Sequence, residues 1–574
     1  MMFADLYRKL KPLFWFLPGF LLWAAFPPMG ERMDCLFALA PLMWLSRREV
    51  DAGIVAKRWF QSGIFFWVAT LSWMPAIVKN GGPWPLVVLG WFALAAYCAA
   101  YFAAYGWLSA RAWSYIRDLA AKRAQRGRKG VYLFRLLGIL IVEPILWCGL
   151  ELVRSRFLGG FAWNQLGVVP VNSGFGAPAA IGGVYLCSAV VILVNGTIAG
   201  IAERMWKPER SGFANLKRLG PVETLLAFVV VFGIYQFGAS LTSGELCTGR
   251  RPLREAKSLE CCAASPLELK VAMVQRNFPC CFKAQEENPY EVYGRLLDNV
   301  AMLKPDIVVL PESAMCEFGP VDQQGAVRFA EWVAKKTGGA ALLAGGSRYE
   351  GGRTYNSAAL YRVGLGSDRV GVESGRVNGE LIQIYDKVHL VPFGEFIPGD
   401  KLFPALQKLA PVGSCTPGEL KLLPLSTSTP GLDPNLGVAI CFEDTDSALM
   451  RELAKKGAKI LFFVTNDSWF SHSVEAEQHA WQAVARAIET GLPVVRVGNS
   501  GVTGTIMPDG KTSWLLGPDG RPLVDRQGAM MDKVAILSAP APTPYASFGD
   551  WPLGIAFALL ILALIMVKYQ HRYE

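Results

Sequence analysis

Hydrophobic positions along this chain follow two different rhythms. Long, nearly uninterrupted apolar runs fill the first part, at 12–29, 35–46, 59–78, 84–108, 131–153, 176–201 and 221–238, and one more closes the chain at 551–567. Most come near the ~20 residues needed to cross a bilayer, so about eight spans are predicted. The second run is short and Pro18, Pro27 and Pro28 interrupt the first, so this pair is expected to be kinked or partly re-entrant. Between 240 and 550 the rhythm changes. Short apolar runs at 268–275, 306–312, 340–346, 354–361, 381–386, 436–441, 460–466, 494–499 and 504–507 read as strands. Amphipathic patterns of helical period lie between several of them, at 290–302, 327–336, 447–456 and 474–490. Such alternation predicts a layered α/β domain.

Two segments inside that domain break the pattern. Residues 366–379 form a glycine- and charge-rich hairpin or loop, and 398–434 are dominated by Gly, Pro, Ser and Thr. The second segment carries the apolar tip Leu402-Phe403-Pro404-Ala405-Leu406 and reads as a mobile lid able to dip into a bilayer. The predicted organisation is therefore a helical bundle of about seven spans over 1–240, an α/β domain over 241–550, and a last span with a short tail over 551–574.

Composition sharpens this picture. Of the 574 residues, 52% are apolar, and the mean hydropathy of +0.29 exceeds that of soluble proteins. A net charge of +10 would suit a nucleic-acid partner if it formed one stripe, but the basic residues are grouped between apolar runs. Arg8, Lys9 and Lys11 flank the first run, Arg47, Arg48, Lys57 and Arg58 lie between the second and third, and Arg111, Arg117, Lys122, Arg123, Arg126, Arg128 and Lys129 between the fourth and fifth. Arg204, Lys207, Arg210, Lys217 and Arg218 separate the sixth and seventh, and Lys568 and Arg572 follow the last. Every second loop is basic. With those loops cytoplasmic, both termini are inside and the polar region is delivered to the opposite face. The first run lacks a small-residue cleavage site, so no cleavable signal peptide is expected.

Polar residues within the membrane half are few. Arg135 and Glu143 fall in the fifth run, where a charge is costly and often functional. The blander expectation is that Arg135 reaches back to the interface while Glu143 pairs with a neighbouring helix. The outer loop 151–167 mixes Arg, Phe, Trp and Gly and includes Trp163 and Asn164. It suits either lipid headgroup and acyl chain held together or an ordinary aromatic belt.

Candidate chemistry concentrates at three strand ends in the α/β domain. The run Leu436-Gly437-Val438-Ala439-Ile440 stops at Cys441, followed by Phe442, Glu443 and Asp444. A thiol at a strand tip is useful when a base can take its proton and a cation can stabilise the charge that its attack creates. Asp306–Glu312 is another apolar strand ending in an acid, and Ile384–His389 carries Lys387, followed by Val391-Pro392-Phe393-Gly394-Glu395. Taken singly, these are a loop acid, a solvated lysine and a small core cysteine. A Cys-His hydrolase competes, because His389 lies directly behind Lys387. Of twelve cysteines, Cys247, Cys261, Cys262, Cys280, Cys281, Cys316 and Cys415 could form disulfides in an oxidising compartment, with connectivity open. No spacing matches a zinc site, and Cys441 is expected to stay reduced.

Glu312, Lys387 and Cys441, each at the end of an apolar strand and in this order, resemble the nitrilase superfamily. The multi-span bundle, the α/β domain and the final span together resemble its membrane-embedded branch, the apolipoprotein N-acyltransferase family. The motifs are Gly160-Phe161-Ala162-Trp163-Asn164-Gln165-Leu166-Gly167, Lys387 to Glu395, Cys441-Phe442-Glu443, Asn466-Asp467-Ser468-Trp469-Phe470, and Arg486-Ala487-Ile488-Glu489 with Arg496 and Asn499. The resemblance implies an α-β-β-α sandwich on the periplasmic side of the bacterial inner membrane. It implies transfer of a fatty acyl chain, from the sn-1 position of phosphatidylethanolamine, to the α-amine of a diacylglyceryl-cysteine on an apolipoprotein. Glu312 would be the base, Lys387 the oxyanion stabiliser and Cys441 the nucleophile, supported by Glu395 and Glu443. Phe442, Trp163, Asn164 and Trp469 would contact substrate; core packing or buried ion pairing is the alternative for Trp469, Phe470, Arg486 and Arg496. A monomer without cofactor or metal is implied, and a membrane-tethered amidase that passes its thioester to water is the alternative.

Overall fold

A computed structural model describes residues 13–125, 131–205, 220–242, 267–279, 287–363, 379–397, 414–427, 429–537 and 542–573. The expected hairpin (except Gly379), the first half of the expected lid, and Cys247, Cys261, Cys262, Cys280 and Cys281 lie outside these residues. The chain divides into two compact units, one of Met1–Pro75, Pro85–Ser240 and Phe548–Glu574, the other of Ala76–Trp84 and Leu241–Ser547.

Five helices of the described residues are long and apolar enough to cross a membrane: Ala52–Asn80, Trp84–Gln125, Leu133–Arg154, Ala179–Glu203 and Thr224–Thr242. Phe14–Ala24 and Trp551–Met566 are shorter apolar helices. The expected second span is instead a 3-10 turn, Arg32–Leu36, and a helix of nine residues, Ala40–Arg48. At 1.5 Å per residue that helix extends only ~14 Å, about half the hydrocarbon thickness. Its length follows from its ends. Pro41 sits in its first turn, where a missing N–H costs nothing, and Arg47 and Arg48 occupy its last turn, where cations meet the carbonyl end of the dipole.

Arg47 is also the partner of Glu143. Its Nε and one Nη lie 3.2 and 2.6 Å from the two carboxylate oxygens, the Trp113 indole N–H donates to Oε1 at 2.8 Å, and the guanidinium packs 4.8 Å over the Trp113 ring. Neither side chain of the ion pair is exposed. Gly196 makes room for it, since a Cβ there would stand 2.8 Å from Glu143 Oε2. Arg135 does not reach for an interface; it is buried and pairs with Glu203 at 2.7 Å.

The second unit contains two six-stranded sheets. Strands β1 (Leu267–Gln275), β2 (Ile307–Val309), β3 (Ala341–Glu350), β4 (Arg353–Val363), β5 (Gly379–Asp386) and β12 (Gly528–Ile536) form one, in the order β12-β1-β2-β3-β4-β5. The other is β11 (Thr512–Trp514), β10 (Gly504–Ile506), β9 (Val494–Gly498), β8 (Ile460–Thr465), β7 (Asn435–Ile440) and β6 (Leu423–Pro424), in that order. Each has a parallel centre, β1-β2-β3 and β7-β8-β9, with antiparallel strands outside it. Alternate residues of both sheets, Val271, Ile307, Leu343 and Leu360 from one and Val438, Phe462, Val464 and Val495 from the other, share one apolar core. Opposite faces of the first sheet, through Ala272, Val308 and Leu342, pack on the helices Pro289–Ala301 and Gln324–Thr337. Helices Ser447–Lys455 and Glu475–Thr490 pack beside the second sheet, which completes an α-β-β-α sandwich. Strands buried on both faces explain why their sequences read as continuous apolar runs instead of alternating ones.

The described part of the expected lid is tied down. Cys415 N donates to Glu395 O at 2.7 Å, Thr416 N to Thr354 O at 2.7 Å, and Gly418 N to Lys387 O at 2.8 Å. These bonds stitch 415–418 to the ends of β4 and β5.

The Arg47–Glu143 pair gives a stability prediction. Replacing Glu143 by Leu strands a buried guanidinium and is expected to cost about 3–5 kcal/mol. Replacing Arg47 by Met in the same chain should recover most of it. Unfolding of the detergent-solubilised protein, followed by circular dichroism, measures both; a double variant whose loss equals the sum of the separate Glu143→Leu and Arg47→Met losses would show that the pair is not coupled.

Candidate active site

Strand β7 is buried from Leu436 to Ile440 and gives way to a 3-10 turn, Cys441–Thr445. At the junction Cys441 has φ 53°, a left-handed conformation that costs a non-glycine residue ~1–3 kcal/mol. Glu443 offsets that strain. Its Oε2 accepts from Ile440 N at 2.8 Å, while Oε1 accepts from Val388 N at 2.8 Å and His389 N at 3.0 Å. The Tyr385 hydroxyl donates to the same carboxylate at 3.0 and 3.1 Å. One buried side chain thus ties the end of β7 to the end of β5, and the sharp turn throws the half-buried Cys441 thiol off the strand tip.

Glu312 follows β2 through Leu310 and Pro311. Its backbone passes so close to β3 that a Cβ on Gly345 would lie 2.6 Å from Glu312 Cα, so only glycine fits there. Lys387 follows β5. The residue before it, Asp386, is gripped by Arg348 at 3.1 and 2.6 Å and by the Ser357 hydroxyl at 2.6 Å, and Lys387 N donates to Asn356 O at 2.8 Å. The lysine side chain is only 1% exposed, and Nζ lies 2.9 Å from Glu395. Asn356 joins the two acids, its Nδ2 donating to Glu312 Oε1 at 2.7 Å and to Glu395 Oε1 at 2.6 Å. Glu395 is held in turn by Val391 N at 2.8 Å.

These groups perturb one another strongly. Burial pushes the Glu312 carboxyl up, with the Glu395 charge adding to it, against the pull of Lys387, Asn356 and a hydrogen bond with Cys441. Burial also pushes the Cys441 thiol well up, Glu312 adds to this, and Lys387 opposes it. For Lys387 burial acts downward, yet Glu395, Glu312, Cys441 and Glu443 together hold the ammonium above its ordinary value. A thiol that stays protonated at rest, a carboxylate able to take its proton, and a permanent cation within one cluster suit attack on an acyl carbonyl.

The structure thus brings Glu312, Lys387, Cys441, Glu395 and Glu443 together. Phe442 is half-buried beside His389, ring centroids 6.2 Å apart, and His389 Nδ1 lies 3.1 Å from Asp446. Trp469 is half-buried in the turn Asp467–Phe470, and its carbonyl accepts from Asn80 Nδ2 at 2.8 Å. Trp163 and Asn164 belong to the first unit, where both are buried and Trp163 packs on Trp73 at 5.4 Å. Cys415 carries a free thiol, which burial and then Glu395 push up to about 11. Arg486 and Arg496 are ion-paired, Arg486 with Glu489 at 2.9 Å and Arg496 with Asp467 at 3.4 Å.

Sequence reasoning passed over Asn356, Tyr385 and His479. Asn356 and Tyr385 lie within strands that read as ordinary, and no spacing singles them out. His479, one of only four histidines, is fully buried, with its ring nitrogens facing Asp444 at 3.0 Å and Asp467 at 2.9 Å. A buried histidine on a helix of otherwise core residues was the available signal.

Known proteins can now be set beside this geometry. Residues 18–197 match the family model described as the apolipoprotein N-acyltransferase N-terminal domain, and residues 270–537 match that of carbon-nitrogen hydrolase. An apolipoprotein N-acyltransferase of Geobacter metallireducens is 28% identical over 85% of this chain and 84% of its own length. Those of Photobacterium profundum, 25% identical over 95% of this chain and 93% of that one, and of Neisseria meningitidis, 27% identical over 99% of both, extend the similarity almost end to end. The chain thus carries an apolipoprotein N-acyltransferase N-terminal domain followed by a carbon-nitrogen hydrolase domain, and it is similar along nearly its whole length to proteins named apolipoprotein N-acyltransferase.

Proposed function

We propose that this protein transfers a fatty acyl chain from a phospholipid, phosphatidylethanolamine at its sn-1 position, through a thioester on Cys441 to the α-amine of the diacylglyceryl-cysteine of an apolipoprotein. The observation that carries the reading is the convergence of Cys441, Glu312 and Lys387, with Asn356 and Glu395 fixing the two charged groups against each other. The names of the relatives supply the reaction class.

In the first half-reaction Glu312 takes the Cys441 proton and the thiolate attacks the ester carbonyl. Lys387 and the Phe442 backbone N–H stabilise the oxyanion, a donor of this kind being worth ~3 kcal/mol. Collapse breaks the acyl–oxygen bond, the alkoxide recovers the proton from Glu312, and lysophospholipid departs. In the second, a neutral α-amine attacks the thioester, its proton passes to Glu312, and the Cys441 thiolate leaves and is reprotonated. Glu395 keeps Lys387 charged and Glu443 keeps the turn strained. Trp163 and Asn164 would act on lipid in the membrane unit, and Phe442 and Trp469 on substrate beside the thiol. We place the α/β domain (241–550) in the periplasm, between an inner-membrane bundle (1–240) and a final span (551–574), with both termini cytoplasmic and the chain monomeric.

Intact mass spectrometry of the full chain in detergent, incubated with phosphatidylethanolamine, tests this directly. The wild type should gain one fatty-acyl mass that water leaves in place and a diacylglyceryl-cysteine peptide removes; Cys441→Ala should gain none. Lys387→Met should acylate about 10²–10³-fold more slowly. An adduct lost to water without the peptide would make the protein a hydrolase.

A pH prediction follows from Glu312. Its deprotonated form is the base, so single-turnover acylation should fall as pH drops through its raised pKa, at a pH above the ordinary carboxylate range of about 4. Lys387 stays charged throughout and contributes no limb there. A rate–pH profile with no acid limb above the ordinary carboxylate range would remove Glu312 from this role.

A further inference from the structure

Behind the Cys441 turn lies a second constellation of charge that the reaction above does not use. Three acids, Asp444, Asp467 and Glu475, and two cations, His479 and Arg496, are all fully or nearly fully buried. His479 sits at their centre. Its Nε2 lies 3.0 Å from Asp444 Oδ1, and its Nδ1 lies 2.9 Å from Asp467 Oδ1 and 3.5 Å from Glu475 Oε1. Arg496 approaches Asp444 at 3.7 Å and Asp467 at 3.4 Å and donates to Val502 O at 2.8 Å. Packing is close: a Cβ on Gly501 would fall 1.7 Å from Asp467 Oδ2.

Nδ1 of the imidazole meets Asp467 at hydrogen-bond distance while Nε2 faces Asp444 at ion-pair distance, so a carboxylate flanks each ring nitrogen. Asp444 and Asp467 raise the His479 pKa to about 10, against burial and Arg496. Two cations then face three acids, and Glu475, pushed well up by burial and by Asp467, closes the balance by holding its proton. Asp467, Glu475 and His479 are also close enough to hold a metal, one ligand atom of each lying within 4.8 Å of the others. Arg496 against Asp467 and a His479 ring flanked by Asp444 and Asp467 favour ion pairing over a metal.

The position of Asp444 gives the cluster its consequence. It stands three residues after Cys441 in the turn whose backbone bears both the thiol and the Phe442 N–H, and the following residue, Thr445, accepts from Arg486 at 2.8 Å. His479 and Arg486 both project from helix Glu475–Thr490, so one buried helix grips two consecutive residues of the turn. Glu443 holds the same turn from the β5 side. We propose that His479 is a positioning residue: by bridging Asp444 and Asp467 it locks the Cys441–Thr445 turn from behind, fixing the thiol and the Phe442 N–H for acyl transfer. This rests on the thioester reading above.

His479→Gln in the full chain tests it, because glutamine keeps the volume and some hydrogen bonding but cannot bridge two acids as a cation. The variant should unfold cooperatively, acylate at saturating phospholipid about 10- to 100-fold more slowly, and keep the wild-type half-saturating phospholipid concentration. Alkylation of Cys441 by iodoacetamide should slow as well. Asp444→Asn, the same shape without the charge, should show the same split. Wild-type rates in a folded His479→Gln variant would overturn the proposal, as would a loss that tracks only the unfolded fraction. Failure of both variants to fold would do so too, and so would one equivalent of metal in the purified protein whose removal abolishes acylation. Should the wild type form no acyl-enzyme, the thioester reading falls, and the alkylation rate, which needs no acyl donor, still decides the role of His479.

Discussion

Much of the α/β unit's geometry depends on one buried carboxylate. Glu443 accepts hydrogen bonds from backbone N–H groups at the ends of two strands in different sheets, and from the Tyr385 hydroxyl on one of them. Burial pushes this carboxyl up, while Lys387 and the N–H donors from His389, Ile440 and Val388 act the other way. Bonds to a charged acceptor are worth more than neutral ones, and leaving such an acceptor unmet in the interior is costly. The ends of β5 and β7 are therefore held in one arrangement, and that arrangement places Lys387 and Cys441 side by side.

Both units face the same physical problem, buried charge, and meet it in the same way. Arg47 with Glu143 and Arg135 with Glu203 are paired in the helical unit; Lys387 with Glu395, Arg486 with Glu489, and Arg496 with Asp467 are paired in the α/β unit. Pairs of this kind add little net stability over apolar substitutes but penalise any rearrangement that separates them. Around Cys441, held at φ 53°, that penalty keeps a strained backbone from relaxing.

Close backbone approaches complete the scaffold. Gly345 beside Glu312, Gly418 beside Asp386 and Gly501 beside Asp467 each occupy places where a Cβ would collide with a group of the site. Chain segments far apart in sequence meet there without a side chain between them.

The sequence by itself determined a good deal. Apolar run lengths and grouped basic residues marked a membrane half, and the buried strands announced the layered domain. The acid, the lysine and the cysteine could be found because each ends an apolar strand, where the periodicity stops abruptly. Other features were decided only by tertiary structure. Cys35–Ser46 reads as apolar enough for a span, yet the chain turns before Ala40, and the helix ends after nine residues. Strand β12 was not legible, because Gly528–Ile536 alternates only weakly and becomes a strand by pairing along the whole of β1. Asn356, Tyr385 and His479 look unexceptional in sequence, since what they do depends on partners tens of residues away or across two sheets. Periodicity records what a residue contributes to its own element. Which charges meet in the interior is set by how the elements pack, because only there is water absent and must every donor and acceptor find its partner within the protein.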